Sequence, residues 1–135
     1  MRARLGGAVL VPAVLAACQS PERPRVDVYR PDYRGVETRL LAEDLVEVRV
    51  AMAAARDAQD VVDYARCAAA QYALIRGYGF ARHVRTNLSE PGGEEGGIWR
   101  ADAVYTVSPD LPRGLRTLDA EVVVDDCRAR GVPTV

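Results

Sequence analysis

The chain has 135 residues, 49% of them hydrophobic and 27% charged, with a formal net charge of -1. That is the balance of an ordinary globular protein, and the length fits one domain plus an N-terminal extension. If about 100 residues fold, they build a single small core. The charge argues against nucleic acid as a partner, because a nucleic-acid binder carries the opposite sign and a basic stripe. All 18 basic residues are arginine. They are spread along the chain, which fits codon bias in a GC-rich genome better than a chain built around arginine forks for anions.

The first segment is an export signal in outline. Arg2 and Arg4 form a basic start, Leu5 to Val14 form a short apolar run, and Leu15-Ala16-Ala17-Cys18 ends it in small residues. That order is the one a secretory signal uses. The apolar run is too short for a bilayer core of about 30 Å, which takes about 20 helical residues. Gly6, Gly7 and Pro12 weaken a permanent helix further. Removal of residues 1–17 would leave sixteen arginines against nineteen acids.

Leu15-Ala16-Ala17-Cys18 resembles a bacterial lipobox, an aliphatic residue and two small residues before a cysteine. The resemblance implies cleavage before Cys18, lipid on its thiol and an acylated amine. One acyl chain binds a membrane marginally, and two or three hold it firmly. The alternative is an ordinary secretory signal with a chance cysteine. Gln19 follows, not the Asp that retains lipoproteins at the inner membrane in some bacteria, so the outer membrane is favoured.

Residues 18–35 then read as a tether, because Pro21, Pro24 and Pro31 among polar residues favour extended chain. Tyr29 and Tyr33 are expected to pack on the domain, which is placed at residues 36–135. Asp44 to Met52 alternates, with Val46, Val48, Val50 and Met52 on one side, and predicts a half-buried strand. Asp57 is placed to cap a helix in which Val61, Ala65, Ala68, Tyr72 and Ile75 make an apolar stripe. Gly77 is placed to end it in a left-handed conformation.

Tyr78 to Thr86 predicts a second strand. Ser89 to Gly97 is an exposed turn, and Ile98 to Val107 a third strand with Trp99, Ala101, Ala103, Tyr105 and Val107 on one face. Leu118 to Val124 is read as a fourth strand on its β-branched run, in preference to a helix from Asp119 to Arg130 ended by Gly131. The expected fold class is α+β, one helix packed on a small antiparallel sheet in the order β-α-β-β-β.

With Cys18 assigned to lipid, Cys67 and Cys127 are left. In an exported domain they are expected to form a disulfide. The alternative is two separate buried thiols. Two cysteines and one distant His83 lack zinc-ligand spacing, so neither a metal nor a cofactor is implied.

His83 has no nucleophile suggested beside it, and the sequence shows no catalytic motif. No catalytic residue is therefore assigned. Arg82, Arg85 and Arg100 are the candidate anion-binding residues. Arg82 and Arg85, three apart, fall on opposite faces of a regular strand, which argues against one cluster. Asp119, Glu121, Asp125 and Asp126 are expected on a solvated strand face.

Tyr64 to Tyr72 followed by Gly77-Tyr78-Gly79-Phe80 resembles small uncharacterised envelope lipoproteins of alphaproteobacterial type, across residues 45–107. That resemblance implies an envelope address and no activity. The sequence thus predicts a non-enzymatic, membrane-anchored envelope protein with an envelope protein as partner. The alternative is a periplasmic module that binds cell wall or a small anionic ligand.

Overall fold

The computed structural model describes residues 28–93, 97–111, 113 and 117–135. Residues 1–27 lie outside it, and with them the signal, Cys18 and most of the predicted tether. In chain order the elements are β1 (Asp32–Ala42), β2 (Leu45–Ala53), α1 (Ala58–Ile75), β3 (Phe80–Ser89), β4 (Ile98–Ser108), β5 (Thr117–Asp119) and α2 (Ala120–Ala129). The class is α+β. The five strands form one antiparallel sheet in the order β1-β2-β4-β3-β5.

β2 forms where its alternation requires. Val46, Val48, Val50 and Met52 are at most 3% exposed and face the helices. On β4, Ala101, Ala103, Tyr105 and Val107 share that face and are equally buried, while Trp99 is partly buried against the same core. α1 lies across β2, β4 and β3, and it is lined by Ala65, Ala68, Ala69, Ala70 and Ala73. Alanine stubs let its backbone approach the sheet closely, so a small chain still closes a dry core.

Both helices are stopped in the same way. Gly77 (φ 82°) follows α1, where its N–H donates to Leu74 O and that of Tyr78 to Ala73 O. Gly131 (φ 72°) follows α2, with its N–H on Arg128 O and that of Val132 on Cys127 O. Only glycine takes the left-handed position of this motif without a Cβ penalty. Asp57 and Asp119 cap the two N-termini through their carboxylates.

Three sequence expectations need correction. The order is β-β-α-β-β-β-α, with two helices, not one. The run from Leu118 to Val124 is strand only as far as Asp119, and α2 follows. Ala120, Val123, Val124 and Cys127 recur at helical spacing and are all at most 4% exposed, so burial of that stripe outweighs the β-preference of three valines. Asp119, Glu121, Asp125 and Asp126 therefore belong to the cap and exposed side of a helix. There Asp125 pairs with Arg128 and Asp126 with Arg130. Finally, β1 begins at Asp32, inside the stretch read as tether.

Tyr29 and Tyr33 do pack on the domain. The Tyr33 ring meets Tyr64 edge-on at 4.7 Å. The Tyr29 hydroxyl donates to Asp60 Oδ2 at 2.9 Å, and the Arg56 guanidinium lies 4.0 Å over its ring. Arg56 also donates to Asp60 from its backbone N–H (2.8 Å) and from Nη2 (2.7 Å). These bonds, the Arg56 side chain first, hold the Asp60 carboxyl down at about 2 from its ordinary 3.8 against the opposing pull of burial. A depressed carboxyl stabilises the fold above its ordinary value and loses that contribution as pH falls through the folded value. Asp60→Asn is accordingly expected to lower the thermal midpoint at pH 7. It should also flatten the acid limb between about pH 4 and 2, which a series of thermal melts would show.

Cys67 and Cys127 form a disulfide that spans 60 residues of sequence. Both are fully buried, and the bridge ties the middle of α1 to α2.

Candidate functional site

The helices cover one face of the sheet. The other face is crossed by rows of side chains that the strand register sets out. One row runs Glu37, Arg49, Asp102, Asn87 from β1 to β3, and the next runs Arg39, Glu47, Val104, Arg85. Outside these lie Arg100, beside Ala51 and Ser89, and Arg82, beside Thr106.

Arg82 and Arg85 thus share a face, contrary to the sequence expectation. The ladder slips by one residue between His83 and Arg85. Val84 is the extra residue of a β-bulge, which resets the alternation so that residues three apart point the same way. Arg82, Arg85 and Arg100 all stand exposed on the uncovered face, as a stripe and not as one tight cluster. None of the three is ion-paired among the described residues.

The centre of the face is a charge network that the sequence did not reveal. Glu47 is 5% exposed although it faces away from the core. Its Oε2 lies 2.8 Å from Arg39 Nη2 and 3.2 Å from Arg49 Nη2. Glu47 Oε2 makes no hydrogen bond among the described residues, so the contacts act through charge. Burial pushes the Glu47 carboxyl up, but Arg39 and Arg49 together outweigh it and hold the group below its ordinary value. Arg49 Nε reaches on to Asp102 at 3.7 Å. Val104, between Glu47 and Arg85, is only 3% exposed. Long arginine stems shield apolar surface of this kind while their heads stay in water.

The two rows hold three arginines and three carboxylates, and Arg82 and Arg100 beside them bring the arginines to five, in a chain whose total charge is -1. Over these central positions the arginines outnumber the carboxylates, whereas the whole chain is slightly acidic. A groove of about 570 Å³ opens on it, lined by Arg34, Glu37, Arg49, Asn87, Arg100 and Asp102 among others. Bidentate guanidinium donors beside amide and hydroxyl groups suit carboxylate or phosphate oxygens.

His83 points to the other side. Its ring stacks edge-on against Tyr105 at 5.3 Å, and Nε2 lies 2.7 Å from Thr86 Oγ1. Burial pushes the Tyr105 hydroxyl up to about 12, with nearby Arg66 opposing. His83 sits as part of the packing under the helices. Among the described residues no three His, Cys, Asp or Glu side chains group as a metal site, and no helix is long and apolar enough to cross a membrane.

Comparison with known proteins adds an affiliation. No solved structure matches the chain. Over 108 residues it is 32% identical to a Paracoccus denitrificans protein described as "Uncharacterized 26.9 kDa protein in nqo8 5'region". The matched stretch is 76% of this chain and 41% of that protein, so the chain spans about two-fifths of its relative's length. Residues 33–131, from the start of β1 to the glycine after α2, match the family described as YNQ4 C-terminal domain. The chain belongs to the YNQ4 C-terminal domain family.

Proposed function

We propose that this is a non-enzymatic lipoprotein of the cell envelope, anchored through Cys18, which engages an anionic envelope partner with its uncovered sheet face. One observation carries the binding half of the reading. The bulge at Val84 sets Arg82 and Arg85 on the same open face as Arg100, with no carboxylate of the described chain paired to any of them. Guanidinium groups left exposed and unpaired, beside positions where arginines outnumber carboxylates, favour a partner that brings negative charge.

Two features support the address. The lipobox Leu15-Ala16-Ala17-Cys18 is one. The buried Cys67–Cys127 disulfide is the other, since such bridges persist in oxidising compartments and are rare in the cytosol. On this reading the domain faces the periplasm, and the outer membrane is favoured. A second reading rests on the groove beside Arg49 and Arg100. Its size is within the range of about 300–1,000 Å³ typical of small-ligand sites, which suits a cell-wall fragment or a small anion.

Crosslinked pull-down from intact envelopes tests both. The native chain is expected to enrich one acidic envelope protein. The variant Arg82→Ala/Arg85→Ala/Arg100→Ala should lose it, and so should crosslinking carried out at high salt, because screening shortens from about 10 Å at 0.1 M to about 3 Å at 1 M. Cys18→Ala should leave the membrane fraction. Retention of the partner by the triple variant refutes the face. Enrichment of cell-wall fragments alone moves the assignment to the groove. A mature N-terminus other than Cys18 refutes the anchor.

A further inference from the structure

The sheet has two unequal edges. β5 is three residues long and runs directly into α2, whereas β1 is eleven residues long. Among the described residues nothing pairs with the outer side of β1, so the backbone groups pointing away from β2 are open. An edge of this kind is a template for another strand. Bulges at Tyr33/Gly35 and Leu40/Ala42 close off its ends and leave Gly35 to Leu40 in regular register.

Within that stretch Glu37 and Arg39 lie on the open face, and Val36, Thr38 and Leu40 lie on the helix side. Charges on an edge ordinarily discourage pairing. Here they are arranged symmetrically. An acid and a base flank Thr38 at one residue, and two aliphatic side chains flank it at two. The geometry points to antiparallel pairing of β1 with β1 of a second copy of this chain, about a twofold axis at Thr38.

In that register Glu37 faces Arg39 of the partner subunit, and the pair is repeated by symmetry. Val36 faces Leu40 of the partner subunit, again twice, and Thr38 meets its own copy. Leu40, 40% exposed here, gains an apolar neighbour. The neighbouring symmetric registers fail on charge. An axis at Glu37 sets Glu37 against Glu37, and an axis at Arg39 sets Arg39 against Arg39, both destabilising. An axis between residues would oppose inward side chains to outward ones and turn one helix layer over. Among these registers the one about Thr38 satisfies charge and face together, and it sets two acid–base pairs across the axis. The interface is isologous and closes on itself, which leaves only the short β5 edges free. Both helix layers fall on one side of a ten-stranded sheet, and both arginine faces on the other. This pairing is independent of what the arginine face binds.

The test is oxidative crosslinking of the full chain in native envelopes, with copper-phenanthroline as oxidant and a non-reducing gel as the readout. Cys67 and Cys127 are already bonded to each other, and every chain is also tested with Cys18→Ala, so that a crosslink through the third cysteine is told apart from one at the substituted position. Thr38→Cys is expected to give a covalent dimer. The unsubstituted chain should give none, and neither should Val36→Cys alone, whose mate across the axis is Leu40. Val36→Cys combined with Leu40→Cys should restore the dimer. Adding Glu37→Arg to Thr38→Cys sets two arginines face to face and should cut crosslinking by about tenfold, with the Cys67–Cys127 disulfide retained as the sign of folding. A Thr38→Cys chain that stays monomeric, or a Val36→Cys chain that crosslinks equally well, overturns the pairing.

Discussion

Replacing Cys67 and Cys127 together by alanine is expected to lower the thermal midpoint by about 15–30 °C. The bridge closes 60 residues. In the chain-entropy account, freeing such a loop in the unfolded state costs the fold about 4 kcal/mol. For a domain of this size each kcal/mol moves the midpoint by about 4–8 °C. Total stability is only about 5–15 kcal/mol, so the bridge accounts for a large part of what holds the fold. Both sulfurs sit where α1 meets α2, the contact that fixes the second helix. Far-UV circular dichroism melts of the native and double-alanine chains measure the shift, and reductant added to the native chain should reproduce it. A shift below about 5 °C would mean that the unfolded chain is already restricted without the bridge.

Tyr105→Ala is expected to cost about 3–5 kcal/mol, the range for removing a large aromatic from a packed core. Tyr105 is 2% exposed, on the central strand β4, and its ring carries the edge-on contact with His83. The strand on either side cannot collapse into the space, because β2 and β3 are both locked to β4 by backbone bonds. Tyr105→Phe keeps the ring and should lose far less. Urea unfolding of the three chains, compared at constant slope, separates the two effects. If the alanine and phenylalanine variants lose alike, the hydroxyl and not the ring carries the site.

How far the sequence foretold these features depends on where each signal is stored. β2, α1 and β4 each bury one face, so their apolar period is local and readable, whereas β3 buries only Ala81. β1 is held by backbone pairing to β2, and most of its side chains are exposed, so it shows no alternation to detect. α2 was misread because Val122, Val123 and Val124 carry a strand preference, while the deciding stripe with Cys127 gains its value only against α1. The cysteine pairing was legible from the cysteine count and the expectation of export. The site was half legible. Arg82, Arg85 and Arg100 were identifiable as candidates, but nothing in Ala81 to Arg85 announces a bulge, because the slip is settled by the ladder with β4. Glu47 looked like any outward strand residue, and only the cross-strand positions of Arg39 and Arg49 make it a buried centre.

The bulge also says which kind of sequence change the arginine face tolerates. Val84 is the supernumerary residue of the ladder, and the residue is 52% exposed. Removing it would leave His83 opposite Tyr105 and Arg85 opposite Val104, the same partners as now. Arg82 and Arg85 would then be two residues apart and still neighbours on the same surface. A homologue with a one-residue gap there would keep the face intact. In an alignment, position on the ladder and not distance along the chain is what identifies the equivalent arginines.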